Sequence, residues 1–372
     1  MKLLIVSTAP LIYSDNSVYA YSPYVNELIV LAKFNHEIYF ACPVWETDRG
    51  LLISKLPFHF IKHFKVIDSN LNSFKNIFKA IFQSIYNFVV LFKAMKKADH
   101  IHLRCPGNIA LIGCVTQIFF PNKTKTAKYA GNWDPNAQQP WTYKLQKSIL
   151  NNAFLTRNMQ VLVYGEWENQ SKNVRPFFTA SYSESEKEII PKTNFNSGIR
   201  FIFVGSLVIG KNPMYAVKLI QDLIQEANKV TLDIYGEGPE RESLENYIRK
   251  NQLENHISLH GNQNKETLKK AYQKSHFVIL PSKSEGWPKA IAEGMFFGCV
   301  PVSTQVSCVP FMLDFGNRGV LLKMDLEADT SQITAVLKNK VDFELKSILA
   351  GEWSRKYTTD VFETEIKKLL KR

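Results

Sequence analysis

Short, continuous apolar runs alternate along this chain with stretches whose apolar residues recur at helical spacing. "KLLIVST" opens the chain as a buried strand, Tyr24 to Ala32 reads as a helix, and "HEIYFACP" as a second strand. "HIHLR" is strand, "NIALIGCVTQIFF" helix, "KTAKYAG" strand and "VLVYG" a later strand. Strands without polar alternation, set between helices, predict a parallel sheet covered on both faces. The polar stretch "YSESEKEIIPKTNFNSG" interrupts the series, and a second one follows. It comprises the strand "IRFIFVGSL", a helix over Pro213 to Glu226, the strand "KVTLDIYGEG" and a helix over Arg241 to Lys250. Then come "ISLHG", a helix over Lys265 to Lys274, "FVILPS", a short helix in "EGWPKAIAEGMFFG", the strand "CVPVST" and a last helix from Thr359 to Lys371.

Two such series predict an α/β protein of two Rossmann-like, doubly wound domains facing a central cleft. The expected divisions are residues 1–182, a linker over 183–198, a second domain over 199–352, and 353–372 as a C-terminal helix packing back toward the first domain. The length of 372 residues suits two domains. Open sheets of this kind bind ligands beyond the carboxyl ends of their strands, and chemistry is sought there.

Charge changes the picture in one region. The formal net charge is +12, which suits an anionic substrate, a membrane surface or nucleic acid. Residues 55–97 mix phenylalanine with lysine around a single acid, Asp68. Phe74, Ile77, Phe78, Ile81, Ile85, Phe88 and Phe92 recur there at helical spacing, with Lys75 and Lys79 between them. The stripe reads first as core, and second as a helix docking on anionic lipid. The segment carries no nucleic-acid recognition motif, so no nucleic-acid partner is expected. The five cysteines, Cys42, Cys105, Cys114, Cys299 and Cys308, include no Cys-x-x-Cys pair. Neither a disulfide framework nor a structural zinc site is expected, and a cytoplasmic setting fits. "MKLLIVSTAP" reads as a strand rather than a signal peptide, and no transmembrane helix is expected.

Three loops carry candidate chemistry. In "GSLVIGKNP", Gly205 permits a tight exit from its strand, and Lys211 precedes a helix with Asn212 as expected N-cap and Pro213 in its first turn. A cation there is unfavourable beside the helix dipole unless an anion joins it. "YGEGPE" places Gly236 and Gly238 after a strand, where backbone must approach something closely or turn into a helix. "SEGWPKAIAEG" carries Glu285 and, eight residues on, Glu293. With Pro288 as first helical residue, Trp287 would stand at the N-cap without an oxygen to offer. Glu293 could pair with Lys289 on an exposed face, but Ala290, Ile291, Met295 and Phe296 around it favour a buried carboxylate with a purpose.

"PSKSEGWPKAIAEGMFFGCVPVST", preceded in order by "FVGSLVIGKNP", "DIYGEGPE" and "ISLHGNQNKETLKKAYQKSHFVILPS", resembles the retaining glycosyltransferases of family four (glycosyl transferases group 1), which have the GT-B fold. The resemblance covers about residues 201–304 and extends to the first domain in architecture only. It implies that Glu285, with Gly286 and Trp287, binds the donor sugar, that Glu293 binds the ribose, and that Lys211 binds the diphosphate. It places Gly205, Ser206, Gly236 and Gly238 near the nucleotide, and makes the first domain the acceptor-binding one.

The chain departs from the family's pattern at several positions. Ser206 stands where members often have an arginine. The glycine-rich loop after the first strand is replaced by "STAPLIYSDNSVYAYSPY", whose Tyr13, Tyr19, Tyr21 and Tyr24 either stack on an acceptor sugar or pack the loop. In place of the family's histidine the chain has "KYAGNWDPN", so Asn132 and Asp134 are candidates for the polar catalytic role. Trp133, Arg104 and Tyr19 are candidates for the acceptor, while His100 and His102 read as structural. No Asp-x-Asp is present, so no metal is expected and no cofactor beyond the nucleotide diphosphate sugar itself. The implied activity is retaining transfer of a sugar to a glycan or lipid-linked acceptor in bacterial cell-surface polysaccharide synthesis (lipopolysaccharide, O-antigen, capsule or exopolysaccharide), on the inner face of the membrane. The alternatives are a GT-B sugar-nucleotide epimerase and a non-catalytic nucleotide-sugar-binding subunit.

Overall fold

The computed structural model describes residues 1–34, 37–49, 52–68, 77–188, 195, 198–226 and 229–370. Contacts divide the chain into two compact units, 1–177 with 363–372, and 178–362. The division falls five residues before the expected end of the first domain. The reason is Tyr182, whose ring stacks on Phe296 and meets Phe297 edge-on, both in the second unit. Half of the expected linker, 189–194 with 196 and 197, lies outside the described residues.

The first unit runs β1 (Lys2–Ser7), β2 (Leu11–Ser14), β3 (Ser17–Tyr21), α1 (Ser22–Lys33), β4 (Glu37–Cys42), β5 (Val44–Trp45), β6 (Ile53–Lys55) and β7 (Lys62–Lys65). It continues with α2 (Ile77–Lys97), β8 (His100–Cys105), α3 (Asn108–Thr116), β9 (Thr124–Tyr129), α4 (Trp141–Leu150), β10 (Met159–Tyr164) and β11 (Val174–Phe177). Seven strands form a parallel sheet in the order β11-β10-β9-β8-β1-β4-β7. Leu3 to Val6 are wholly buried at its centre. The segment Glu363–Leu370 closes one flank, with Glu363 paired to Lys33 at 2.5 Å and Ile366, Leu369 and Leu370 buried.

A second, four-stranded sheet, β5-β2-β3-β6, was not expected from the sequence. Its hairpin turns at Asp15 and Asn16, which adopt φ values of 47° and 54°. Paired positive φ at two central residues is the geometry that suits a twisted two-residue hairpin, and Asp and Asn tolerate it. "SDNS" was therefore the readable signal.

Helix α2 corrects the first reading of its stripe. Ile81 and Ile85 are 50% and 58% exposed, and Phe88 and Phe92 are half-buried. Phe74, Lys75 and the side chains of Ile77, Phe78 and Lys79 lie outside the described residues. The wall that meets the unit is Asn87, Leu91, Ala94 and Met95. Asn87 pins it, its amide accepting from the Ile67 N–H at 2.8 Å and donating to the Ile67 carbonyl at 2.9 Å. The helix is apolar on nearly its whole circumference, so spacing of large residues alone did not say which side faces inward.

The second unit runs β12 (Ile199–Val204), α5 (Pro213–Glu226), β13 (Val230–Tyr235), α6 (Arg241–Lys250), β14 (Ile257–Gly261), α7 (Lys265–Lys274), β15 (Phe277–Leu280) and α8 (Lys289–Phe296). After these come β16 (Val300–Thr304), α9 (Val309–Met312), β17 (Val320–Leu322), α10 (Leu326–Lys338), α11 (Lys340–Ser354) and α12 (Thr359–Leu370), whose last turns count with the first unit. Its six strands are parallel, in the order β14-β13-β12-β15-β16-β17. Helix α7 begins at Asn264, whose side chain accepts from Thr267 N–H at 2.9 Å, as a good N-cap should. None of the five cysteines forms a disulfide. Among the described residues, no helix is long and apolar enough to cross a membrane.

Candidate functional site

In the second unit the chain leaves β12 for β13 and β14 on one side, then returns to β15 on the other. That reversal opens a crevice beyond the carboxyl ends of β12 and β15, where doubly wound sheets bind ligands. Lys211 lies on the loop after β12 and Glu285 on the loop after β15. Their Nζ and Oε1 atoms are 2.5 Å apart. The Glu285 side chain is only 6% exposed and that of Lys211 is 30% exposed. A buried carboxylate is costly without a partner, and the ammonium supplies one. The two loops are also tied through backbone, Lys283 N–H donating to the Gly210 carbonyl at 2.9 Å.

The turn that carries Glu285 is clamped from behind. The Gly286 carbonyl accepts from the Cys308 thiol at 3.0 Å and from the Ser307 hydroxyl at 3.3 Å. Trp287 is buried and stacks on Trp353, ring centres 5.8 Å apart at 21°. Ser307 and Trp353 were not singled out from the sequence, and Cys308 was read there only for its lack of a Cys-x-x-Cys partner; their order along the chain gives no sign that they converge here. A cavity of about 450 Å³ opens at the carboxyl ends of β15, β16 and β17, lined by Ser282, Lys283, Thr304, Lys323 and Met324 among others.

Helix α8 starts one residue later than expected, with Lys289 first and Pro288 at the N-cap, which makes no side-chain cap bond. Proline sits in extended backbone there, φ −72° and ψ 91°, and so does not open the helix. Asn212 is left-handed, φ 52°, and its carbonyl accepts from Tyr215 N–H at 3.1 Å.

What the glycines of "YGEGPE" approach is the neighbouring loop. A Cβ on Gly236 would stand 1.9 Å from the Gly205 carbonyl oxygen, and one on Gly238 would stand 2.4 Å from that of Leu207. Their φ values of +156° and +157° also disfavour other residues. Between them the Leu207 N–H donates to the Glu237 carbonyl at 2.9 Å. The loop after β13 is thus laid directly on the loop after β12, and Ser206 is left exposed at the surface.

Glu293 has a separate environment. Ser181 Oγ donates to it at 2.5 Å and Tyr272 Oη at 3.1 Å. Burial pushes its carboxyl above the ordinary carboxylate value, against the opposing pull of Ser181, Lys289 and Tyr272. Since the folded-state pKa is raised, ionised Glu293 costs stability. That cost is absent below the unfolded value and complete once pH exceeds the folded value. Glu293→Gln is therefore expected to gain stability relative to wild type on going from pH 4 to pH 8, read by thermal unfolding. A variant that instead loses ground over that interval would contradict the sign.

In the first unit the corresponding reversal lies between β1 and β8. Arg104, near the end of β8, stands 4.3 Å over the Tyr24 ring. Its Nε, and Oγ1 of Thr8 just after β1, are buried without a hydrogen-bond partner among the described residues. Tyr24 itself is 1% exposed and packs the loop rather than offering a stacking face. Tyr19 is half-buried in β3. Trp133 corrects an expectation: it is 2% exposed, set edge-on against Tyr129, and donates to Gln170 Oε1 at 2.8 Å. It belongs to the core and offers no platform for a sugar. Asn132 and Asp134 shape their own loop, Asn132 Oδ1 accepting from Asp134 N–H at 2.9 Å and Asp134 Oδ1 from Asn136 N–H at 2.8 Å.

His100 and His102 are structural, as read from the strand. Burial lowers them to about 3 and about 4, and both contact Oγ1 of Thr126, at 2.9 and 2.8 Å. A feature missed entirely is the buried pair of Lys128 and Glu27, 3.2 Å apart with side chains 2% and 9% exposed. Burial alone would raise Glu27, but Lys128, Arg104 and His102 outweigh it and bring it to about 2.

Comparison with known proteins bears on the fold and the family. The chain is 27% identical over 182 residues to the "uncharacterized glycosyltransferase MJ1178" of Methanocaldococcus jannaschii, covering 48% of each. It is 25% identical over 160 residues to the poly(glycerol-phosphate) alpha-glucosyltransferase of Bacillus subtilis, covering 42% of this chain and 23% of that enzyme. The chain thus spans about half the length of the first relative and under a quarter of the second. The crystal structure of Anabaena HepE in complex with UDP and glucose matches with a TM-score of 0.67 at 12% identity, covering 100% of this chain and 99% of that one. The fold is therefore GT-B, and residues 185–350, nearly all of the second unit, match the family of glycosyl transferases group 1.

Proposed function

We propose that the chain is a retaining glycosyltransferase of family four, moving a sugar from a nucleotide diphosphate donor to a glycan or lipid-linked acceptor in bacterial cell-surface polysaccharide synthesis. The observation that carries the reading is the Lys211–Glu285 pair at the strand reversal of the second unit. Lysine has donors for diphosphate oxygens, and a carboxylate accepts from sugar hydroxyls. Both groups therefore suit a donor whose anionic and hydroxylated parts are joined. The UDP and glucose held by HepE are consistent with that chemistry, as is the polymer acceptor in the name of the Bacillus relative.

In the proposed reaction the bond from the anomeric carbon to the diphosphate breaks, and a bond to the acceptor oxygen forms on the same face. The acceptor proton passes to a donor phosphate oxygen, so no protein nucleophile is required. Lys211 stabilises the charge that develops on the leaving diphosphate. With Ser206 in place of a second cation, that burden rests mainly on Lys211. Glu285 orients the sugar, Glu293 takes the ribose hydroxyls, and Arg104 and Tyr19 remain the candidates on the acceptor side. The absence of Asp-x-Asp from the sequence is the basis for reading the transfer as metal-independent. The basic stretch 55–97 extends the reading to an anionic membrane surface.

A panel of uridine, guanosine and other nucleotide sugars, screened by thermal shift on wild type and Glu293→Ala, tests the donor assignment. One donor class is expected to raise the melting temperature of wild type, with a smaller rise in the variant. Equal shifts in both proteins would remove Glu293 from the ribose site. No shift with any donor would count against the reading as a whole.

A further inference from the structure

We propose that one face of α2 docks the first unit on an anionic lipid bilayer. Ile81, Phe82, Ile85, Tyr86 and Val89 are 50%, 72%, 58%, 49% and 43% exposed. Spaced by four and by one, they share one side of the helix, opposite the Asn87, Leu91, Ala94 and Met95 wall that meets the unit. Soluble proteins seldom leave so many large apolar side chains together in water without a use for them. Phe88 meets Phe119 edge-on at 5.8 Å, and Phe119 is itself 60% exposed, so the apolar surface continues past the helix.

Past Val89 the same side of the helix changes character. Lys93, Lys96 and Lys97 take over, all exposed, and α2 contains no acidic residue. These three and Lys62 of the edge strand β7 rim a groove of about 390 Å³ whose floor includes Phe64 and Val90. An apolar half and a cationic half on one helix face match the two adjacent layers of an anionic membrane, acyl chains and headgroup phosphates. A second copy of the chain is a poorer occupant, because an isologous contact through this face would bring its lysines together. The inference deepens the membrane-surface part of the proposed function; it rests on the first unit alone and is independent of the donor chemistry, so either can fail without the other.

Co-sedimentation of the full chain with phosphatidylcholine vesicles and with mixed phosphatidylcholine–phosphatidylglycerol vesicles at low salt tests it. Wild type is expected to bind the mixed vesicles and not the neutral ones. Lys93→Gln/Lys96→Gln/Lys97→Gln should weaken binding by about fivefold per lysine, and Phe82→Ser/Ile85→Ser by roughly tenfold or more. Both variants alter exposed side chains, and their melting curves report whether they fold; the lysine variant stands as the test if the apolar one does not. Absence of binding, equal binding to both vesicle types, or variants that bind like wild type would overturn the proposal. So would a wild-type dimer in gel filtration that Phe82→Ser/Ile85→Ser converts to monomer.

Discussion

Replacement of Lys211 by alanine is expected to lower sugar transfer by about 10²–10³-fold, the loss typical of removing one preorganised group that stabilises a developing anion. The variant should also be destabilised by about 1–3 kcal/mol, since Glu285 would remain buried with its partner gone. These two effects are separable. Glu285→Gln in the Lys211→Ala background removes the unpaired charge and should recover stability without recovering transfer. A double-mutant cycle on melting temperature and on rate measures both. If Lys211→Ala lost stability but retained full turnover once donor was bound, the pair would be structural and the leaving-group role would fall.

The second large effect concerns the backbone. Gly236→Ala is expected to cost roughly 3 kcal/mol or more, combining a φ that L-residues rarely adopt with a Cβ forced into another backbone. The obstruction is the Gly205 carbonyl oxygen at 1.9 Å, which has no flexible end that could move aside. In a unit of this size the melting temperature should drop by roughly 6–12 °C. Gly210→Ala is the matched control on the adjoining loop, because a Cβ there meets nothing within 4 Å. A shift in stability at Gly210 as large as that at Gly236 would refute close backbone packing as the cause.

Much of the second unit could be read in the chain. The helices Pro213–Glu226, Arg241–Lys250 and Lys265–Lys274 have the bounds expected of them, because proline, charge placement and an asparagine cap mark their ends in the sequence itself. Buried parallel strands announce themselves by runs such as "FVIL". The first unit was less legible. Its hairpin hides in a loop rich in serine and tyrosine, and only the Asp15–Asn16 step marks the turn. Helix α2 offers apolar residues on all sides, so the choice between Ile85 and Met95 as the inward residue depends on what packs against it. Trp133 was a candidate for the acceptor, but its neighbours along the chain say nothing of Tyr129 and Gln170, which hold it in the core.

The site divides in the same way. The strand order that makes β12 and β15 neighbours came from the structure, but the placing of Lys211 and Glu285 on loops after strands was readable. The partners of Glu293 were not. Ser181 and Tyr272 reach it from elements whose patterns give no hint of a polar contact. The buried Lys128–Glu27 pair was invisible for a related reason: a lysine inside an apolar strand becomes intelligible only when α1 delivers the carboxylate.

The most direct test of the central claim is calorimetric titration of UDP, GDP and other nucleoside diphosphates into wild type and Lys211→Ala. Saturable binding of one diphosphate by wild type, weakened tenfold or more in the variant, is the predicted result. Equal affinity in both proteins, or no binding of any diphosphate to wild type, would contradict it.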